Sequence, residues 1–502
     1  MGICMNKNED FKLKLIFPCR IETDNPNYLP PPYGMGVLAA FLRQHNYYVE
    51  QDDLSVRLNR DDSDKYSFIN YKPDLNFDRY YKELPIYIST GKAKGELDLF
   101  VEKILDSICL NGYNLIGFSI FSFYHFFFAL LLSKKIKERI DTPIVFGGPF
   151  ISLCGHLYPE VFDFVDYMIV GDGRIPLLRL IDYLKKSIPI SDVPNLIYRD
   201  NGKLIANPRQ HYPIEDMPMP DFDGLPIDLY KNSKFGNRII LPYQISRGCT
   251  SSCSFCPNRY LNSKLEFKTF EKVINELSQM KERYNCNSFY FCDDVINNSY
   301  EYLEELCDIL IKNKLNINWA VYVKVGNLDR HILGKMIDAG CHKLKFGIES
   351  GSDRILKMMN KGFTSEQASK TLRDGYEAGM KNLVSLITGY PYETQEDLKQ
   401  TLEFIRINKK YIHYIDIFRF ILIYDSAIYF NPEKYGLVNL ISTSSRYTFA
   451  FDELNGLKWK QKKKQQWHSN KQLIKVAYMN SKFKLKLIFF LLCRKLISQR
   501  YY

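Results

Sequence analysis

CTSSCSFC, residues 249–256, places Cys249, Cys253 and Cys256 in one short loop and supplies no fourth cysteine beside them. Three thiols at this spacing are too few for a closed structural zinc site, which usually takes four protein ligands. Distant Cys286 or Cys292 would have to complete such a site, so zinc is the alternative reading. A cubane iron–sulfur cluster held by three thiolates keeps one iron without a protein ligand. That iron can bind a substrate or cofactor while the cluster passes an electron. On this reading the missing fourth cysteine is the functional feature.

The surroundings place the loop. RIILPYQIS before it reads as a strand, and the alternation then runs on: FEKVINELSQMKERY (helix), SFYFC (strand), EYLEELCDILIKN (helix), INWAVYVK (strand), RHILGKMIDAG (helix) and KLKFGI (strand). SEQASKTLRDGYEAG precedes the strand NLVSLI, and QEDLKQTLEFIRIN precedes YIDIFRFILI. Six successive strand–helix units predict an open or partial (β/α)6 barrel over 236–430, with functional residues at the C-terminal ends of its strands. The cysteine loop starts just past the first strand, where the mouth belongs.

Upstream, KLKLIF, YNLIGFSIF, PIVFGG and YMIVG alternate with GVLAAFLRQHN, FFFALLLSKKIKERI and PLLRLIDYLKK. Short apolar runs between amphipathic segments predict a doubly wound parallel sheet with covered faces over 1–190. PIEDMPMPDFDGLP marks 191–235 as a proline-rich connection with a short strand pair near NLIYRDNGKLIANP. The fold class is therefore α/β: a Rossmann-like domain, a partial barrel, and a basic, mostly helical C-terminal region over 431–502.

Composition agrees. At 502 residues, 46% hydrophobic and 25% charged, the chain has the balance of a folded globular protein. MGICMNKNEDFKLK has charges where a signal peptide needs an apolar run, and Asn6 stands where a myristoylation signal wants Ser or Thr. The expected compartment is the cytoplasm, and most of the other nine of the twelve cysteines are expected to be small core residues. The net charge of +11 is concentrated in thirteen Lys or Arg between 458 and 500, with no acid after Glu453. A solvated helix face explains such a run. Peripheral contact with an anionic membrane stays open, and nucleic acid is not the expected partner. The apolar stretch Leu487–Cys493 is too short to span a bilayer.

With the CxxxCxxC loop, Phe255 before its last cysteine and a barrel strand ahead of it, the sequence resembles the radical S-adenosylmethionine (SAM) superfamily. The resemblance implies that Cys249, Cys253 and Cys256 hold a [4Fe–4S] cluster whose open iron binds SAM. Reductive cleavage then gives methionine and a 5'-deoxyadenosyl radical. It implies that Phe255 packs near the adenine. FCDDVINN matches the acidic motif after the second strand, making Asp293 and Asp294 candidates for contact with SAM or substrate, with helix capping as the plainer alternative. FGIESGSDRIL resembles the fourth-strand motif, in which Gly347, Glu349 and Ser350 would lie against SAM. SLITGYPYET resembles the fifth, with Ser385 as a SAM contact and Tyr392 where a glycine is usual.

The N-terminal region resembles the cobalamin-binding domain of one radical SAM subgroup. PPYGMGVLAAFLRQHNYYVEQDD, GFSIFSF, VFGGPF and VGDGRIPLLRLIDYL carry the likeness. It implies cobalamin contacts at Tyr33, Gly34, Ser119, Gly147, Gly148, Gly171 and Gly173, and Arg174 stands where the family more often has Glu. A glycine pair after a strand also makes a plain turn. The DxHxxG sequence that gives a histidine to cobalt in many cobalamin proteins is absent from PCRIETDNPNYLPPPYG, and His125 reads as a core or capping histidine. The methylthiotransferase subgroup, which has a second cysteine triad, does not fit the context of Cys4, Cys19, Cys109 and Cys154.

The expected activity is methylation of an unactivated carbon through methylcobalamin, on a small-molecule or peptide substrate, with an electron from a donor such as flavodoxin or ferredoxin. A cyclase or rearrangement enzyme on the same scaffold is the alternative within enzymes. A corrinoid or iron–sulfur sensor without turnover is the alternative outside them.

Overall fold

The structure is a computed structural model that describes residues 11–19, 30–58, 96–231, 238–257, 264–443 and 445–478. Cys4, Leu487–Cys493 and most of the loop that lacks DxHxxG lie outside the described residues. Two compact units emerge: Met1–Arg247 with Tyr260–Cys292 and Ser442–Thr448, and Gly248–Arg259 with Asp293–Ile441 and Phe449–Tyr502.

In the first unit, β1 (Lys12–Phe17), β2 (Tyr48–Asp53), β3 (Leu115–Ser119), β4 (Ile144–Gly147) and β5 (Tyr167–Ile169) pair in parallel in the order 2-1-3-4-5. This doubly wound order has a switch point between β1 and β3, beyond whose C-terminal ends such sheets bind ligands. The core gathers Ile16, Phe118 and Phe146 with the apolar run of α1 (Phe123–Arg139), whose residues 126–133 are all buried. A helix apolar on every side is an interior helix. β2 carries YVEQDD, polar for a strand. Lys14 of β1 is 1% exposed and meets Glu50 at 2.6 Å and Asp52 at 3.6 Å, so the charges neutralise each other across the pair.

The segment expected as a connection does more than connect. β6 (Leu196–Asp200) and β7 (Lys203–Ala206) extend this sheet antiparallel beyond β5, joined by Asn201 and Gly202, both at positive φ. That two-residue asparagine–glycine turn matches the twist of a hairpin. The first unit includes 191–231 among its described residues and runs on to Arg247. The unit also holds β8 (Leu241–Tyr243), β9 (Ser246–Arg247), α2 (Phe270–Arg283) and β11 (Ser288–Phe291), with β8 parallel to β11. Between them β10 (Glu266–Phe267) pairs antiparallel with β9.

The second unit has the predicted alternation. β12 (Asn318–Val323), β13 (Cys341–Glu349), β14 (Lys381–Thr388) and β15 (Tyr414–Arg419) run parallel, each paired to the next. Their connecting helices start where side chains accept the first orphan amides: Ser299, Asp329, Thr364 and Thr394 each cap one. The described C-terminal region is less helical than expected. β16 (Leu422–Ile423), β17 (Leu437–Ser442) and β18 (Thr448–Glu453) form a small sheet in the order 16-18-17 before the one long helix α3 (Trp459–Tyr478). Its basic face is not wholly solvated either, since Lys462 is fully buried on Glu453 (2.7 Å) and the Tyr390 carbonyl (2.7 Å).

Candidate active site

The cysteine loop is held by the residues between its cysteines. Gly248 takes φ +96°, and its amide donates to Asp294 Oδ2 at 3.2 Å. Asn298 Oδ1 accepts from the amide and the hydroxyl of Thr250, both at 3.1 Å, and Asn298 Nδ2 donates to the Gly248 carbonyl at 3.1 Å. Lys324, just past β12, reaches Thr250 Oγ1 at 2.8 Å. Ser252 receives two bonds from Asn360 Nδ2, at 2.6 and 3.0 Å. Ser254 is fully buried; its hydroxyl meets Tyr390 OH at 2.8 Å, its amide donates to the Met359 carbonyl and its carbonyl accepts from the Ile428 amide.

Cys249, Cys253 and Cys256 are partly exposed in this frame, and none of them is in a disulfide. Among the described residues no three His, Cys, Asp or Glu side chains gather around one ion position. In a cluster each thiolate takes its own iron, so three thiols in one short loop fit it. Burial pushes the Cys253 thiol up, while Lys361 beside it pulls the other way.

Lys361 was not singled out in the sequence. Its Nζ lies 3.6 Å from Glu349 Oε1, and both side chains are about one-tenth exposed. Burial raises the Glu349 carboxyl, and the Lys361 ammonium opposes that shift. Glu349 sits at φ +71°, a left-handed conformation that a non-glycine residue holds only under constraint. A Cβ on Gly347 would stand 2.6 Å from Glu349 Oε1, so glycine there leaves room for that carboxylate.

The remaining candidates divide. Asp294 holds the Gly248 amide, and Ser299 caps the next helix, so the capping alternative does not describe Asp294. Asp293 is 2% exposed. Ser385 faces partly open space opposite Gly347 in register. Ser350 is turned inward: it is 1% exposed, with its hydroxyl on Thr401 Oγ1 at 3.2 Å and the Ser352 amide at 3.1 Å. Its side chain braces the end of β13 against Thr401 and Ser352. Phe255 packs on the cluster of Ile355, Met359 and Tyr390, with the Lys361 ammonium 5.8 Å from its ring centre. Tyr392 keeps the left-handed turn that its usual glycine would make, at φ +58°, with its phenol donating to the carbonyls of Gly436 and Leu454.

In the first unit the predicted cobalamin residues line the strand ends of the 2-1-3-4-5 sheet. Gly34 has nothing within 4 Å of a built Cβ, and Gly147 only the Ile169 carbonyl at 3.9 Å, so both face open space that a flat group can approach. Gly148 is different: at φ +100° its Cβ would strike the Ile120 carbonyl at 2.6 Å, so the fold itself requires this glycine. Gly171, at φ +79°, donates its amide to Ser152 Oγ at 2.8 Å. Gly173 packs under Leu38, and Ser119 ends β3 partly exposed. The Tyr33 hydroxyl meets Met217 Sδ at 3.2 Å. His125 is 3% exposed, its Nδ1 3.1 Å from Ser122 Oγ and its ring against Phe17, as a core histidine should be.

Residues 243–405 match the radical SAM superfamily. That match is to a radical SAM domain and covers this stretch of the chain, not the whole. That domain works with a [4Fe–4S] cluster and SAM, and the three partly exposed thiols fit the cluster. Among curated relatives, an uncharacterized methyltransferase of Pyrococcus horikoshii is 29% identical over 55% of this chain and 60% of its own length. The cytidylyl-2-hydroxyethylphosphonate methyltransferase of Streptomyces wedmorensis is 24% identical over 72% of this chain and 69% of its own. Among solved structures, the cobalamin-dependent radical SAM enzyme OxsB, with aqua-cobalamin and SAM bound, has a TM-score of 0.65 at 18% identity, covering 90% of this chain and 66% of that one. The methyltransferase TsrM of Kitasatospora setae, with cobalamin and a [4Fe–4S] cluster bound, has a TM-score of 0.62 at 14% identity, covering 91% and 90%. These radical SAM domain chains thus share the α/β fold found here.

Proposed function

We propose that the protein is a cobalamin-dependent radical SAM methyltransferase acting at an unactivated carbon. The observation that carries this reading is the cysteine loop: Thr250, Ser252 and Ser254 do the holding, the three thiols stay partly exposed, and Lys361, paired with Glu349, lies beside Cys253. When bound, the cluster and SAM supply one-electron cleavage of a sulfonium carbon bond, and the corrinoid supplies the methyl group.

The chain's own residues bind and orient. Asp294, Asn298 and Lys324 fix the start of the loop, while Asn360 and Tyr390 fix its middle and the residue before Phe255. Glu349, with its charge balanced by Lys361, presents a carboxylate that can accept from an ammonium group such as the amino end of SAM. Gly34 and Gly147 leave the strand ends of the first unit open to a corrinoid, and no histidine from a DxHxxG motif is present to ligate cobalt. The electron comes from a flavodoxin or ferredoxin. No described helix is long and apolar enough to cross a membrane.

The test is anaerobic purification from cobalamin-fed cells, with iron, sulfide and corrinoid counted per chain. The reconstituted protein is then assayed with dithionite for 5'-deoxyadenosine. One cluster and one corrinoid per chain, with SAM consumed, support the reading, and a methyl group on the product separates it from a cyclase. An intact cluster without corrinoid removes methyl transfer and leaves a radical SAM enzyme.

A further inference from the structure

Lys361 is held more firmly than the neutralisation of one carboxylate requires. The short helix Asp353–Met358 closes at Asn360, whose left-handed backbone (φ +57°) returns the Asn360 amide to the Lys357 carbonyl and the Lys361 amide to the Leu356 carbonyl, both at 3.0 Å. That pair of bonds is a Schellman closure, and asparagine is among the few residues that take its left-handed position. The residues of this turn meet the cysteine loop in succession. The Met359 carbonyl accepts from the Ser254 amide at 3.0 Å, Asn360 Nδ2 donates to the carbonyl and hydroxyl of Ser252, and Lys361 follows. Bonds on both sides of Cys253 thus fix where the ammonium group stands relative to the loop.

Three groups meet that ammonium. Glu349 Oε1 lies 3.6 Å away, and the ring centres of Phe255 and Phe363 lie at 5.8 and 5.7 Å. Phe255 is the residue between Cys253 and Cys256, and an aromatic face attracts an ammonium group without cancelling its charge. The Lys361 side chain is 10% exposed, so salt and water screen it little. Burial works against the ammonium form, but Glu349 and the thiols of Cys253 and Cys256 outweigh it and keep the charge in place. At the Cys253 thiol burial is the largest influence, and next to it the pull of Lys361 exceeds the opposing push of Glu349. The loop therefore meets a pair whose positive member has the greater effect. Stability alone does not call for such a pair, since two well-packed apolar side chains would fill the same volume without loss.

We propose that Lys361 sets the reduction potential of the cluster held by Cys249, Cys253 and Cys256: its fixed charge favours the reduced state, and Glu349 limits the effect. Three thiolates outweigh the positive charge of the iron–sulfur core, so the electron that reduces it adds to a site already negative. That electron comes from a flavodoxin, a ferredoxin or dithionite; the donor is oxidised, the cluster is reduced, and no bond is made or broken. A buried cation beside the thiolates offsets the added charge, and the potentials of such clusters follow net charge and solvent exposure. At an effective dielectric constant of about 20, a unit charge within a side chain's length changes a one-electron equilibrium by about tenfold or more. The inference rests on the proposed function only for the presence of the cluster.

The test is an anaerobic redox titration of the full-length reconstituted protein without SAM, read from the cluster's own EPR signal apart from any cobalt. It is run at mildly alkaline pH, so that Glu349 is ionised despite its burial. Lys361→Met should make reduction about tenfold less favourable, a potential about 59 mV lower for one electron. Lys361→Arg should stay within about threefold of wild type, because the charge is kept. Glu349→Gln should move the potential the other way, by about threefold. Lys312→Met, exposed before β12 and so at the opposite end of that strand from Lys324, should leave it unchanged. Opposite shifts in Lys361→Met and Glu349→Gln support the proposal, because a role in packing alone would admit water in both variants and shift both alike. The proposal is overturned if Lys361→Met titrates within about twofold of wild type, if Lys361→Arg falls as far as Lys361→Met, or if Lys361→Met and Glu349→Gln shift in the same direction. Should Lys361→Met hold no cluster, Glu349→Gln decides alone: a raised potential supports the proposal, and an unchanged or lowered one overturns it. Iron and sulfide are counted in each sample. A full cluster insensitive to Lys361 removes this inference alone, and a wild type that holds no cluster removes the proposed function.

Discussion

Asn298→Ala tests whether the loop is held by the residues between its cysteines. Asn298 makes four bonds at the loop's base: two from Thr250, one to the Gly248 carbonyl at 3.1 Å and one to the Val295 carbonyl at 2.7 Å. The two Thr250 bonds are exposed, so water replaces them at a loss of about 0.5 kcal/mol each, while the two partly buried ones contribute about 1 kcal/mol each. The three that reach the loop hold it closed by about 2 kcal/mol, an opening equilibrium shifted by about 30-fold. If a bound cluster is lost through loop opening, its release into an iron chelator should accelerate by about 30-fold in Asn298→Ala. The assay is the decay of cluster absorbance under anaerobic chelation. Asn298→Asp should behave at least as badly, because it sets a carboxylate against two carbonyls that now accept. Asn275→Ala, on an exposed helix face, should release iron as the wild type does. An Asn298→Ala protein with wild-type release kinetics would refute the division of labour between holding residues and ligands.

Lys361→Met should leave Glu349 buried without its cation and weaken SAM binding by about tenfold or more, measured by equilibrium dialysis, while iron content stays within about a quarter of wild type. Gly148→Ala should destabilise the fold by about 2 kcal/mol, from the Ile120 clash and the positive φ, whereas Gly147→Ala should leave the melting temperature alone and lower corrinoid content. Glu393, buried under α3 with the Gly389 amide on its Oε2, has its carboxyl pushed up to about 7 by burial. A carboxyl raised above its unfolded value binds its proton more tightly in the folded state, so this group's contribution falls as pH rises from about 4.5 to about 7. Glu393→Gln should flatten that part of the pH dependence of the urea midpoint by up to about 3 kcal/mol, and an unchanged slope would discard it.

The strand–helix order was legible because each parallel strand is a short apolar run and each helix is amphipathic. KLKFGI and NLVSLI became β13 and β14 almost residue for residue. The cysteine spacing was legible because ligands near in sequence are near in space. What failed to show depends on contacts distant in sequence. β2 is polar, and its buried Asp52 makes sense only once Lys14, in register with Glu50, lies 3.6 Å from it. β6 and β7 lie in a stretch dense in proline, and their place at a sheet edge is set by Ile169 and Tyr167 of β5. Tyr390 reaches Ser254 across 136 residues and Asn360 reaches Ser252 across 108, so no local pattern marks either as a support of the loop. An alternation of small hydroxyls with cysteines was the available signal, and it was read only for its cysteines.

Arg174, a departure from the family pattern, is taken up by an aspartate two residues before it. Where glutamate is more usual, this chain has a guanidinium that is 2% exposed and forks onto Asp172, with Nη2 at 2.9 Å from Oδ2 and Nε at 3.0 Å from Oδ1, while Nη2 also donates to the Pro213 carbonyl. Arg247 reaches the same Asp172 oxygen at 3.3 Å. Burial alone would raise the Asp172 carboxyl, but the two guanidiniums outweigh it and hold it low, so the aspartate stays charged. One buried anion thus serves two cations. One cation belongs to the VGDGR turn that ends at the predicted cobalamin contact Gly173, and the other is the residue two places before Cys249. The guanidinium at 174 and that of Arg247 on one aspartate make the turn a brace for the strand that leads to the cysteines. Because the fork is bidentate, lysine cannot replace Arg174 with the same geometry. Removing the charge at Asp172 would leave two guanidiniums facing each other at a site that is mostly buried, an arrangement that must open.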